Sequence, residues 1–183
     1  DSYEGPNRKI SYYDFLSLWQ PFNYSYIIVF TKDQKDLVEA IIGQEMDDSV
    51  MWKNMQSRAQ KEAELDGQNV YPWFTISVAS YHQGNFAQST AAFERVESRL
   101  PKRMLWYQLE PIEAYRASGY NERVFAIVDR ILSGGNRAYS ELYVIRGSIY
   151  LEKGEKELAK REFEQAVLYN KNYKRAKELL ERI

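Results

Sequence analysis

Residues 140–169 read SELYVIRGSIYLEKGEKELAKREFEQAVLY, and this stretch decides the fold. Its small and large apolar residues fall on helical spacings, at Tyr143, Gly147, Tyr150, Ala159, Phe163 and Ala166. Small residues such as Gly147 and Ala159 allow two helices to approach closely, and the large ones fill the space beside them. Gly154 is placed to end the first helix, because glycine takes a left-handed turn without a steric penalty. The short connection predicts two antiparallel helices.

The same pattern occurs three times along the chain. Gly84, Gly119 and Gly154 lie 35 residues apart. The bulky apolar residues nine positions later keep the same period, at Phe93, Val128 and Phe163. Two independent features with one period indicate a repeat architecture, in which each unit is one pair of helices.

The third copy resembles the tetratricopeptide repeat, a helix–turn–helix unit of about 34 residues. It has the family's residue types at the signature positions Gly147, Tyr150, Gly154, Ala159, Phe163 and Ala166. The first copy keeps Trp73, Gly84, Phe93 and Pro101, and the second keeps Tyr115 and Gly119. The resemblance implies an all-α superhelix of antiparallel helix pairs. We expect three repeats, at residues 70–103, 104–137 and 138–171.

Further helices are expected on both sides of the repeats. Residues 172–183 are amphipathic and suit the polar cap that a stack of repeats needs at its end. Residues 47–66 begin with an Asp-Asp-Ser cap signal and place four residues on one face, Met51, Met55, Ala59 and Ala63. This helix should pack against the first repeat. A shorter helix is predicted from Asp33 to Ile42, where Gly43 ends it.

The first thirty residues differ in character from the rest. A short helix is predicted around Tyr12 to Trp19, and Pro21 stops it. Tyr24 to Phe30 is β-branched and aromatic, which predicts a strand. A lone strand cannot satisfy its own edges, so it implies a sheet supplied from elsewhere. The expected organisation is therefore the edge of a preceding domain at 1–31, linker helices at 32–68, and the repeats with their cap at 69–183.

Composition excludes several functions. The chain has no cysteine and one histidine, His82, so thiolate or His-cluster metal sites and a cysteine nucleophile are absent from it. A net charge of −1 without a separate basic stripe argues against nucleic acid as a partner. The longest apolar run is too short to insert into a membrane. The carboxylate pairs Glu94/Glu97 and Glu110/Glu113 are typical of a solvated helix face. We expect no cofactor, no metal and no catalytic site.

The N-terminal segment carries a second resemblance. It reads DSYEGPN from Asp1, followed by SYYDF from Ser11 and by Trp19, with FNYSYIIVF from Phe22. These residues are similar to the C-terminal edge of a papain-like cysteine peptidase domain of the double-glycine, bacteriocin-processing-like type. The resemblance implies that Asp1 would orient a catalytic histidine lying upstream together with the nucleophile, and that the protein would be extracytoplasmic or on the cell surface. The alternative is that Asp1 is a solvated terminus.

In tetratricopeptide arrays the leading helices line a concave groove. The matching positions in this sequence are Tyr71, Phe74, Val78, Tyr81, Trp106, Leu109, Glu113, Arg116, Glu141, Val144, Ser148 and Leu151. Aromatic anchors in such a groove would hold an extended or helical apolar peptide. The alternative is that the helix at 47–66 or a preceding domain covers these aromatics.

Two functions therefore stay open. The first is a non-catalytic protein–protein interaction scaffold that binds a peptide or partner domain through its helical-repeat surface. The second is the C-terminal appendage of a secreted papain-like cysteine peptidase. An exposed strand edge recruits partners, so the second function also predicts a dimer through residues 1–30.

Overall fold

The computed structural model describes residues 9–134 and 137–183, and these fold as a chain of α-helices. The helices are α1 (Tyr12–Trp19), α2 (Lys35–Ile42), α3 (Asp48–Leu65), α4 (Val70–His82), α5 (Phe86–Glu94), α6 (Glu110–Ala117), α7 (Asn121–Ser133), α8 (Ser140–Glu152), α9 (Lys156–Tyr169) and α10 (Lys174–Leu180). Short 3-10 helices occupy Gln20–Phe22, Lys32–Gln34, Gly43–Met46 and Lys102–Trp106. The expected all-α helical-repeat fold is confirmed.

Helices α4 to α9 form three consecutive pairs, each joined by one of the periodic glycines. Gly84, Gly119 and Gly154 have φ between 73° and 78°, a region that side chains with a Cβ rarely adopt. The third pair packs most closely, because Gly147 of α8 faces Phe163 of α9. Phe163 is fully buried in the core cluster, which runs continuously from Phe74 to the C-terminal helix.

Helix α3 packs against α4 and acts as half a repeat ahead of the first pair. Asp47 caps its N-terminus by accepting from the backbone of Ser49 and Val50. As expected, Met55, Ala59 and Ala63 are its buried face. Small residues on this face let α3 approach α4 closely. At the other end of the stack α10 packs on α9 through the buried Ala176.

The second pair departs from the expected pattern. Its leading helix, α6, begins only at Glu110, and Pro111 occupies its first turn. Proline suits the first turn of a helix because the missing N–H has no acceptor there, so the sequence sets the start at this point. Trp106 therefore ends a 3-10 helix, and Leu109 is the N-cap of α6. Neither residue lies on a long leading helix.

The N-terminal segment gives one correct and one wrong prediction. Helix α1 spans the expected Tyr12–Trp19. The strand predicted at Tyr24 to Phe30 is wrong: residues 25–30 have no regular secondary structure, and the described part of the chain contains no β-strand. Strands are stable only beside a partner, and no described segment pairs with residues 26–30. The side chains of this segment still alternate in exposure, and the outward-facing Ile27 and Val29 are 90% and 92% exposed.

Residues 19–24 are tied to the helical array. Gln20 donates to Glu62 of α3 at 2.7 Å and accepts from Asn69 at 3.2 Å. Arg58 of α3 lies 4.6 Å from the centre of the Tyr24 ring.

None of the described helices is long and apolar enough to cross a membrane. The domain boundaries expected from the sequence stay a prediction.

Candidate peptide-binding groove

A depression of about 390 Å³ opens where the three leading helices come together. The end of α4, the chain leading into α6 and the start of α8 supply its walls. It is lined by Tyr81, Trp106, Tyr107, Leu109, Glu110, Glu113, Tyr139 and Glu141. Four aromatic rings and three carboxylates therefore share one surface.

The aromatic wall is held in place by buried neighbours and one hydrogen bond. Met104 and Leu105 are buried, and they anchor the 3-10 helix that Trp106 ends. The Tyr139 hydroxyl donates to the Trp106 carbonyl oxygen at 2.6 Å. Trp106 nevertheless stays 44% exposed. An exposed tryptophan on an anchored stretch of backbone is a typical anchor for a protein partner, because an aromatic side chain offers a large contact area with few rotatable bonds.

Two of the carboxylates are positioned by polar contacts at the edge of the depression. Glu110 Oε1 lies 3.2 Å from His82 Nε2, and the His82 ring stacks on Trp52 with centroids 3.7 Å apart. Glu113 accepts from Arg116 at 3.0 Å, and Arg116 also pairs with Glu152. These contacts fix the side chains of Glu110 and Glu113 in the depression.

Burial and negative charge together raise the pKa values of the tyrosines around the depression. Burial is the larger cause of the raised pKa of Tyr81, and the charges of Glu113 and Glu110 raise that pKa further. Burial, then Glu141 and Glu110, act in the same direction on the pKa of Tyr139. A raised pKa keeps these tyrosines protonated at neutral pH, so their hydroxyls remain hydrogen-bond donors.

The structure brings five of the twelve predicted groove residues together. They are Tyr81, Trp106, Leu109, Glu113 and Glu141. Four others are buried and cannot contact a ligand, which corrects the predicted groove at Phe74, Val78, Val144 and Ser148. Phe74, Val78 and Val144 belong to the core cluster that runs through the repeats. Tyr71, Arg116 and Leu151 are half-buried outside the lining of the depression.

Three lining residues were not predicted as part of a groove. Tyr107 and Tyr139 lie outside the leading helices, where helical periodicity gives no information. As one of the Glu110/Glu113 pair, Glu110 is predicted on a solvated helix face, whereas the structure places it in the lining of the depression. Its place at the first turn of α6, set by Pro111, was the signal that it lies beside Trp106.

Within residues 9–134 and 137–183, no helix closes this depression. Helix α3 contributes no residue to the lining. Phe22 of the N-terminal segment meets Tyr107 edge-on, with ring centroids 5.4 Å apart, and so borders the depression at one place. The alternative that the helix at 47–66 covers the groove aromatics does not hold for Trp106, which is 44% exposed.

A second, apolar cavity of about 330 Å³ lies between residues 23–30, α2 and α3. Its lining includes Tyr26, Ile28 and Phe30, the side chains that alternate with the exposed Ile27 and Val29.

Among residues 9–134 and 137–183 no group of three or more metal-ligating side chains comes together. Asp1, the residue that the peptidase resemblance singles out, lies outside the described residues.

The three helix pairs and their half-repeat define an all-α helical-repeat fold. Within it, residues 140–173 match the family model described as a tetratricopeptide repeat. Among solved structures the chain is similar to the one titled "Crystal structure of MamA", with a TM-score of 0.62 and 14% sequence identity over 84% of this chain and 82% of that chain. At this identity the likeness shows the fold alone. No curated protein matches the chain.

Proposed function

We propose that the chain is a non-catalytic scaffold for protein–protein interaction and that the depression around Trp106 binds a peptide segment of a partner protein. The observation that carries this proposal is the exposed aromatic wall, which lines the same depression as three carboxylates. Binding sites for peptides combine such anchors with a few convergent polar side chains. Its location on the leading helices of a tetratricopeptide-type stack supports the same function.

The proposal is tested by selecting peptides from a displayed random library on the purified chain and measuring their affinity by fluorescence polarisation. Trp106→Ala should abolish the binding of the selected peptides. The matched control is Tyr120→Ala, which removes an aromatic side chain that is 60% exposed outside the depression. Both variants should keep the thermal midpoint of the parent. If the selected peptides bind the Trp106→Ala variant with unchanged affinity, the proposal is wrong.

A second surface suits an interaction between two copies of the chain. Residues 26–30 have no backbone hydrogen-bond partner among the described residues, and Ile27 and Val29 point their side chains to solvent. The segment between Tyr24 and Thr31 carries no charge, so antiparallel pairing with the same segment of a second copy brings no like charges together. We propose this pairing as the basis of the dimer expected through residues 1–30.

The alternative function, the C-terminal appendage of a cysteine peptidase, stays a prediction. It is tested by the coding sequence upstream of Asp1. A preceding domain with a cysteine near its start and a histidine shortly before Asp1 supports it, and the mutation of that cysteine should then abolish cleavage. An upstream sequence without these two residues counts against it.

A further inference from the structure

We infer that the depression around Trp106 receives a basic side chain, arginine in preference to lysine, from a peptide whose neighbouring residues are apolar. This inference rests on the proposed function, which it deepens by naming the chemistry of the partner. Three features of the depression point to it: the charge of the lining, an unpartnered buried carboxylate oxygen, and exposed aromatic faces.

The lining of the depression carries negative charge only. It contains Glu110, Glu113 and Glu141, and none of its residues is cationic. Glu113 is neutralised by Arg116, but Glu141 has no ion-pair partner within the described residues. Arg175 lies at the margin, where its charge acts on Tyr81 and Tyr173. The surface thus complements a cation and repels an acidic peptide or a free C-terminal carboxylate.

Glu110 has one carboxylate oxygen without a hydrogen-bond donor among the described residues. Its Oε1 faces His82, whereas its Oε2 is buried and has no hydrogen-bond partner. A buried acceptor without a partner is unfavourable by about 1–3 kcal/mol, and more when it is charged, so such atoms are rare in folded proteins. Solvent does not reach this oxygen, so a guanidinium, with its five N–H donors in a fixed fork, can supply the missing hydrogen bond only once the Glu110 side chain has rotated towards the depression.

The aromatic wall selects the shape of the cation. Trp106 and Tyr107 are 44% and 63% exposed, and both line the depression together with the carboxylates. A planar guanidinium can stack on such a face while its edge donates to a carboxylate, whereas an ammonium is more strongly hydrated and makes only the charge contact. Leu109 and the remaining ring surface provide apolar contact for the residues on either side of the arginine.

The test uses four acetylated and amidated heptapeptides that differ only at the centre, Gly-Ser-Leu-X-Leu-Ser-Gly, with X arginine, lysine, glutamine or glutamate. Binding is measured by isothermal titration at low and at high salt. We expect the arginine peptide to bind about tenfold more tightly than the glutamine peptide, with lysine between them and glutamate weakest. Raising the salt should weaken the arginine peptide more than the glutamine peptide, because salt screens charge pairs.

Two variants separate the inference from the proposed function. Glu141→Gln should reduce the affinity for the arginine peptide about fivefold and leave that for the glutamine peptide unchanged. Glu157→Gln is the matched control, since it removes the same charge from an exposed position on α9. Trp106→Ala should weaken both peptides.

If the arginine and glutamine peptides bind equally and both respond to Trp106→Ala, the inference is overturned and the proposed groove stands. If no peptide binds, or if Trp106→Ala has no effect on any of them, the proposed groove is overturned together with the inference.

Discussion

Thr75 Oγ1 donates a hydrogen bond to Asn23 Oδ1, and both side chains are buried although 52 residues separate them in the sequence. Asn23 adopts a left-handed backbone conformation with φ 56° and is only 3% exposed. Asparagine tolerates this conformation better than most residues because its short polar side chain bonds locally. This bond joins the N-terminal segment to α4, which also supplies one wall of the groove.

Thr75→Val should destabilise the fold by about 1–3 kcal/mol, because the buried Asn23 amide then loses its partner while the volume of the side chain is kept. Urea unfolding followed by circular dichroism measures the change. Thr90→Val is the matched control. The Thr90 hydroxyl donates to Ala87 O, the carbonyl of its own helix turn, so its loss should change the stability by about 0.5 kcal/mol or less. Equal effects of the two substitutions would contradict the role of the Asn23 contact.

Gly147→Ala should destabilise the third helix pair, although alanine normally stabilises a helix interior by about 1 kcal/mol relative to glycine. A Cβ at this position would lie 2.5 Å from Phe163 Cε1 and 2.8 Å from Cδ1. The fully buried Phe163 ring cannot move away freely, so we expect a net loss of about 1–3 kcal/mol in the free energy of unfolding.

The control for this effect is Gly67→Ala, where the nearest atom to the new Cβ is Ala63 O at 3.6 Å. It should leave the stability within about 0.5 kcal/mol of the parent. Phe163→Leu in the Gly147→Ala background should recover part of the loss, because it removes the ring edge that clashes. An unchanged or increased stability of Gly147→Ala alone would show that α8 and α9 lie further apart.

Arg146→Met should make the stability depend on pH through Glu162. Glu162 Oε2 and Arg146 Nη2 form an ion pair and lie 2.9 Å apart. The two groups are not aligned for a hydrogen bond. Burial raises the pKa of Glu162, and the charge of Arg146 partly opposes that rise. Without Arg146 the pKa of Glu162 should rise further, since burial then acts unopposed.

A raised pKa means that Glu162 binds its proton more tightly in the folded state than in the unfolded chain. Protonation of Glu162 therefore stabilises the fold at low pH, and this stabilisation is lost as the pH rises through the folded pKa. The loss caused by Arg146→Met should therefore be about 3 kcal/mol at pH 7 and shrink as the pH falls towards the ordinary glutamate pKa near 4.3. Arg161→Met, an exposed arginine on α9, is the control and should show no such trend. Adding Glu162→Gln to the variant should abolish the pH dependence.

The double substitution Ile27→Lys with Val29→Lys should prevent self-association. The parent chain should show a monomer–dimer equilibrium in sedimentation velocity over roughly a hundredfold range of concentration, because the unpaired apolar segment can pair with a second copy. Two lysines on the outward face place like charges opposite each other in the paired state.

The control for this prediction is Leu65→Lys with Leu168→Lys, which adds the same charge at exposed apolar positions of α3 and α9. This variant should dimerise like the parent. A parent chain that stays monomeric throughout, or a control that also loses the dimer, would count against pairing through residues 26–30.

The periodic residues of the chain were sufficient to predict the helix pairs. Gly84, Gly119 and Gly154 mark turns that need a left-handed backbone, and this requirement is local. The buried face of α3 was predictable for the same reason, since its small residues recur at helical spacing. Such features depend on a few neighbouring residues, which is why the sequence alone determined them.

The tertiary structure decided which residues line the groove and which conformation residues 24–30 adopt. Periodicity identifies the face of a helix on which Phe74 and Val144 lie, but only the approach of the neighbouring repeat decides that this face is buried. Tyr81, Trp106 and Tyr139 meet because three helix pairs bring their ends together, and no local spacing encodes that meeting. Residues 24–30 have the composition of a strand, yet a strand exists only where a second one supplies its hydrogen bonds.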